Sequence, residues 1–145
     1  MKDQPTKGPP TLVTVLLWLL AVTSIANGIA MFFFPAAWFL RIVPGVPENS
    51  PFNAHLVADG GTFYLAIGIG LVAAALDPRR NAIAVAIAAI AGIMHSILHI
   101  YSHIAGMLSY RHIATEVAGI YVPALVLTGL YFAIRAGERV NVAQP

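Results

Sequence analysis

The chain has 145 residues, of which 59% are hydrophobic and 10% charged, with a net charge of +2 and no cysteine. A soluble domain carries about 25% charged residues, so this composition describes a protein built for hydrocarbon, with room for about four spans of ~20 residues and none for a separate soluble domain. Without cysteine there is no disulfide, thiolate metal site, iron–sulfur cluster or cysteine nucleophile, and any metal must be held by histidine, carboxylate, backbone or methionine.

Four apolar segments follow in chain order. After a polar tail, Met1 to Pro10, the first runs from Thr11 to Phe34 and stops at Pro35. Its apolar run exceeds the core of a secretory signal, so it reads as a retained span; the rival is a signal cleaved near Ser24-Ile25-Ala26, a small-x-small pattern behind a basic start. A loop from Pro35 to Ser50 follows, with Trp38 expected at the level of the headgroups. The second segment is Phe52 to Leu76, with Ser50 as the expected helix cap and Pro51 at the first helical position. The connection Asp77-Pro78-Arg79-Arg80-Asn81 leads to the third, Ala82 to Ile104. The fourth is Ile113 to Ile134, with Pro123 a predicted kink. The expected fold is all-α: one four-helix membrane bundle over residues 11–145.

Basic residues set the expected orientation. Lys2, Lys7, Arg79, Arg80, Arg135 and Arg139 fall on the side of the two termini, and Arg41 and Arg111 on the other. Basic residues near span ends favour the cytoplasm, which places both termini there, in an inner membrane. The pI follows from this bias and says nothing for nucleic acid.

His95, His99 and His103 recur every four residues in the third segment. Ionisable side chains are costly in hydrocarbon, so this ladder calls for a function or for buried polar partners. At about 100° and 1.5 Å per residue, Ala84, Ala88, Gly92, His95, Ser96, His99 and His103 share one stripe, while Ile90, Ile93, Ile97, Ile100 and Ile104 lie opposite. Small and polar residues inward with Ile toward lipid is the pattern of a packed membrane helix. On the second segment His55, Asp59, Thr62, Ala66, Gly70 and Ala73 share a face, and on the first Thr23, Ser24, Asn27 and Ala30 do. Glu116 and Pro123 mark the inner face of the fourth. The topology brings His55, Asp59, His95, His99, His103, Glu116 and Asn27 into the outer part of the bilayer.

The functional expectation is a multi-pass inner-membrane protein whose outward-facing cluster of His95, His99, His103, His55, Asp59 and Glu116 binds a transition-metal ion, Cu, Zn or Fe, in a redox or metal-handling role. Histidines at i, i+4 present two rings to one ion, so His95 with His99, or His99 with His103, would chelate, completed by His55 or Asp59. A b-type haem held by His99 with His55, or by His95 with a partner elsewhere, and flanked by Gly92 and Phe63, ranks lower, as does proton or small-molecule traffic along the His/Asp/Glu chain. The bland alternative is a non-catalytic membrane subunit whose polar cluster fixes helix packing or a partner. There His55, His103 and His112 sit at the interface, and His95 and His99 bond neutrally to Asp59, Asn27, Thr23 or Tyr64. The expected partners are the lipid bilayer and a second copy or another membrane subunit. Asp59-Gly60-Gly61 lacks phosphate-loop spacing, and its glycines are expected to permit close helix contact.

The layout resembles the small four-span DoxX-like membrane proteins: Phe33-Phe34-Pro35 ending the first span, then Asn53, Asp59-Gly60-Gly61, Leu65-Ala66-Ile67-Gly68, and the basic turn Arg79-Arg80. The resemblance implies a four-helix bundle and a setting in respiratory or redox membrane biology. Where such relatives carry a basic residue in the third span this chain has His95, and the ladder lies outside the shared pattern, so no catalytic residue is carried over.

Overall fold

A computed structural model describes residues 11–142; the polar tail of residues 1–10 lies outside them. Among the described residues all regular structure is helical, with long helices at Thr11–Phe33, Ala54–Leu76, Ala82–Ile104 and Val122–Val142. The first three of these, and the stretch Tyr110–Gly137, are long and apolar enough to cross a bilayer. The protein is a multi-pass membrane protein. Exposed Leu, Ile, Val and Phe side chains around the bundle, such as Leu19, Ile69, Ile90 and Leu125, are the surface such a protein offers to lipid.

Consecutive helices run antiparallel. Lipid tails are as apolar as leucine, so helix association relies on close packing, and glycine provides it. A Cβ on Gly61 would lie 2.8 Å from the Phe32 backbone nitrogen and 2.9 Å from the Gly28 carbonyl oxygen, and one on Gly68 would lie 2.6 Å from Ile25. The backbones of the first and second helices are therefore nearly in contact. Gly92 admits Ala124 in the same way, its absent Cβ falling 3.1 Å from that of Ala124, and this seats the fourth helix on the third. These pairings put both ends of the described chain at one end of the bundle, the terminal end, and the 34–53 and 105–112 connections at the other, the loop end.

The core is concentrated at the terminal end. Leu17, Ala21, Leu71, Ala74, Val85, Ala88, Leu127 and Leu130 are buried together there, all apolar. A smaller cluster of Met31, Phe39 and Val57, joined by Trp38 and Tyr64, lies under the 34–53 connection.

Helix boundaries follow local chemistry. Phe34 leaves the helical region before Pro35, as a residue preceding proline tends to. The second helix starts at Ala54, not Phe52, because Asn53 is its cap: the Asn53 side chain accepts from the Leu56 amide at 3.1 Å, while Ser50, expected in that role, is fully extended before Pro51. Asn81 closes the connection between the second and third helices by donating to the Ala73 and Asp77 carbonyls. Where a kink is expected at Pro123, the helix has a π-helical segment just before it, Val117–Tyr121, in which the Val122 amide bonds back to Val117. A proline lacks the amide that a regular turn needs, and the wider turn accommodates the gap. The fourth helix then continues past Ile134, where the sequence reading ended it.

Trp38 is not a free headgroup anchor. Its indole donates to Asn27 Oδ1 at 2.8 Å, and Asn27 in turn donates to the Met31 sulfur at 3.5 Å, so Asn27 serves the 34–53 connection and takes no part in the histidine cluster.

Replacing Gly61 by Val is expected to lower stability in detergent by about 3 kcal/mol through overpacking against immovable backbone. Gly129→Ala, where an added Cβ meets nothing within 4 Å, is expected to be neutral or slightly stabilising. Thermal unfolding of the two variants beside wild type checks both.

Candidate polar site

The third helix presents the expected face. Ile90, Ile93, Ile97, Ile100 and Ile104 are all exposed, at 42% to 78%, while His103 is buried at 7%. Ser96 satisfies its hydroxyl on its own helix by donating to the Gly92 carbonyl at 2.8 Å, so it does not enter the site.

The helix ends in a turn that shapes the site. Gly106, at φ +70°, reverses the chain; its amide bonds to the His103 carbonyl at 3.1 Å and the Met107 amide to the Ser102 carbonyl at 2.8 Å. This pattern closes many helices, and the left-handed residue is glycine because a side chain there meets its own carbonyl. The returning segment carries the Leu108 carbonyl to 3.3 Å from His103 Nδ1 and stacks Tyr110 on the His103 ring, centroids 4.5 Å apart and planes 17° apart.

Glu116 then enters from the last turn before the π-helical segment. One oxygen, Oε2, lies 3.0 Å from His99 Nδ1 and 2.8 Å from His103 Nε2. His95 extends the group deeper along the helix, its ring edge-on to that of His99 at 4.8 Å. The Leu108 carbonyl can only accept, so His103 carries a proton on Nδ1, and its Nε2 faces a carboxylate. Two arrangements satisfy this geometry: an imidazolium donating from Nε2 to an ionised Glu116, or a neutral imidazole whose Nε2 accepts a hydrogen bond from a protonated Glu116 carboxyl. Either way a single oxygen joins two turns of the third helix to the start of the fourth. Bonds of this kind to a charged partner contribute about 1.5–3 kcal/mol each.

The other candidates fall elsewhere. His55 and Asp59 pair with each other along the second helix at 3.4 Å, with side chains 87% and 51% exposed. The sequence reading turned their face inward, but the glycines of the second helix draw Val57, Gly61 and Gly68 toward the first helix instead, leaving His55, Thr62 and Ala66 exposed. Neither reaches the ladder, and among the described residues no group of three or more His, Asp and Glu is placed to hold a metal ion. His112, expected at the surface, bonds Glu48 at 3.2 Å and lies against Gly45, with Arg111 3.7 Å from the same carboxylate. Glu48 was missed because it is remote in sequence from both partners and no spacing rule links them.

No protein-family model, curated protein or solved structure matches this chain.

Glu116→Ala leaves a buried imidazole without its acceptor and is expected to cost about 2 kcal/mol in detergent unfolding, whereas His55→Ala, far out in solvent or headgroups, is expected to change stability by less than about 0.5 kcal/mol. Gly106→Ala has open space for its methyl and is expected to cost about 1 kcal/mol from backbone conformation alone, read by the same unfolding measurement.

Proposed function

We propose that the histidine–glutamate cluster is a clasp: it fixes the packing of the third and fourth helices at the loop end of a membrane subunit. The observation that carries this reading is the shared oxygen of Glu116, with His99 and His103 both on it at 3.0 and 2.8 Å. The clasp's polar groups are matched within the chain, as hydrocarbon requires. The core of Leu71, Val85, Ala88, Leu127 and Leu130 beneath the cluster is built of apolar side chains, which weighs against a conducting path through the bundle.

One observation favours a second reading, binding of a transition-metal ion such as Cu, Zn or Fe in a redox or metal-handling role in keeping with the DoxX-like layout. When His99 donates from Nδ1 to Glu116, its Nε2 is left as a fixed lone pair, and a carboxylate behind an imidazole is the usual way of orienting a metal ligand.

Elemental analysis and an absorption spectrum of the detergent-purified full chain separate the two, with wild type beside Glu116→Gln and His99→Ala. The clasp reading expects no stoichiometric metal, melting indifferent to chelator, and a lowered melting temperature in Glu116→Gln. About one equivalent of metal, lost in His99→Ala, would replace it with the second reading.

A further inference from the structure

The second helix carries two seams. Val57, Gly61 and Gly68 are buried, and the two glycines lie against the first helix. Nearly opposite runs the line His55, Asp59, Thr62 and Ala66, which at about 100° per residue falls within about 60° of arc. Its steps of four, three and four residues are the repeat by which one helix packs along another. The third helix meets this side at Gly70, where an added Cβ would lie 3.5 Å from that of Ala84. Toward the loop end the line is open: His55, Thr62 and Ala66 are exposed, and the Asp59 side chain is 51% exposed.

The residues on this line are not those of a lipid face. Leu56, Phe63, Ile69 and Leu76 supply the large apolar side chains that the same helix turns outward, and the line contains none of that kind. Small and polar residues in register are what membrane helices place against one another. Thr62 turns its hydroxyl back onto the Asp59 carbonyl at 2.7 Å, which leaves its methyl to pack. Asp59 is the costly member. When the 23-residue helix is centred on a hydrocarbon layer of ~30 Å, its carboxylate lies about 6 Å inside. It has the His55 imidazole at 3.4 Å and no other hydrogen-bond or ion-pair partner among the described residues. A carboxylate in this condition at membrane depth calls for a polar partner from outside the chain.

We infer that this line is where a second copy of the chain docks, the two second helices packing in parallel about a two-fold axis along the membrane normal. Copies inserted in one orientation carry Asp59 at one depth, and a two-fold axis lays the same seam residues opposite one another. Each Asp59 then comes within one helical turn of the other copy's His55, so acid meets imidazole twice across the interface. Thr62 and Ala66 let the backbones approach. A helix of different sequence has to bring its own basic group to this depth, whereas a second copy always brings His55. The docking goes beyond the clasp, which lies on the third and fourth helices and is untouched by it.

The chain has no cysteine, so single cysteines report the seam directly. Thr62→Cys and Ala66→Cys, each placed at an exposed position where folding is not at stake, are reconstituted as full chains in phosphatidylcholine–phosphatidylglycerol vesicles and oxidised. A disulfide-linked dimer is expected from both. Ile97→Cys, at similar depth on the outward side of the third helix, is expected to stay monomeric. Energy transfer between labelled copies is expected to show self-association weakened about tenfold in Asp59→Ala. Glu116→Gln is expected to associate as wild type while melting earlier, so the docking and the clasp fail separately. No dimer at Thr62 and Ala66, equal yields at Ile97, or association unchanged in Asp59→Ala overturns the docking. Cross-linking of Thr62→Cys in cells to a different membrane protein, with none between copies in vesicles, overturns it in favour of a foreign helix.

Discussion

Hydrocarbon offers no hydrogen bonds, and that constraint runs through most of the polar features inside this bundle. Thr23, Ser96 and Thr128 turn their hydroxyls back onto carbonyls of their own helices. Asn27 receives the Trp38 indole, and Asn81 covers two carbonyls left over where the second helix ends. The π-helical turn before Pro123 is the backbone's answer to a missing amide. The His99–Glu116–His103 cluster belongs to the same set, differing in that its members are ionisable.

The bundle is asymmetric along its axis for a packing reason. Small residues let helices approach, and they are distributed unevenly. Gly28, Gly61 and Gly68 hold the first two helices together along much of their length. Gly70, Ala74, Ala84 and Ala88 draw the second and third together toward the terminal end, where the apolar core lies. Nearer the loop end Phe63 and His55 take the corresponding positions on the second helix, and bulky or polar side chains there stand outward. Contacts at that end come from connections instead: Glu48 with Arg111 and His112 across the two loops, and Glu116 with the histidines. The polar cluster is thus bounded by loops and ion pairs at one end and by an apolar core at the other.

Much of this was legible beforehand. Composition alone required membrane spans, the apolar runs located them to within a few residues, and the alternation of Ile with small and polar residues oriented the third helix correctly. His99, His103 and Glu116 were all among the candidate ligands. Less legible were the partners. His55 and Asp59 have the spacing and depth to meet the ladder, yet the helix that carries them is turned by its glycines toward the first span. Asn53 overruled Ser50 as a cap because Pro51 holds Ser50 extended.

What the sequence determined by itself is periodic or compositional: the number of spans, their lengths, the small-residue seams and the inward face of the ladder, since these depend on side-chain size and polarity repeating along one helix. Tertiary structure decided which polar groups meet. The rotation of each helix about its axis is set by the closest backbone contacts, and the reach of Glu116 and Leu108 by the reversal at Gly106, and both are properties of neighbours rather than of any one segment.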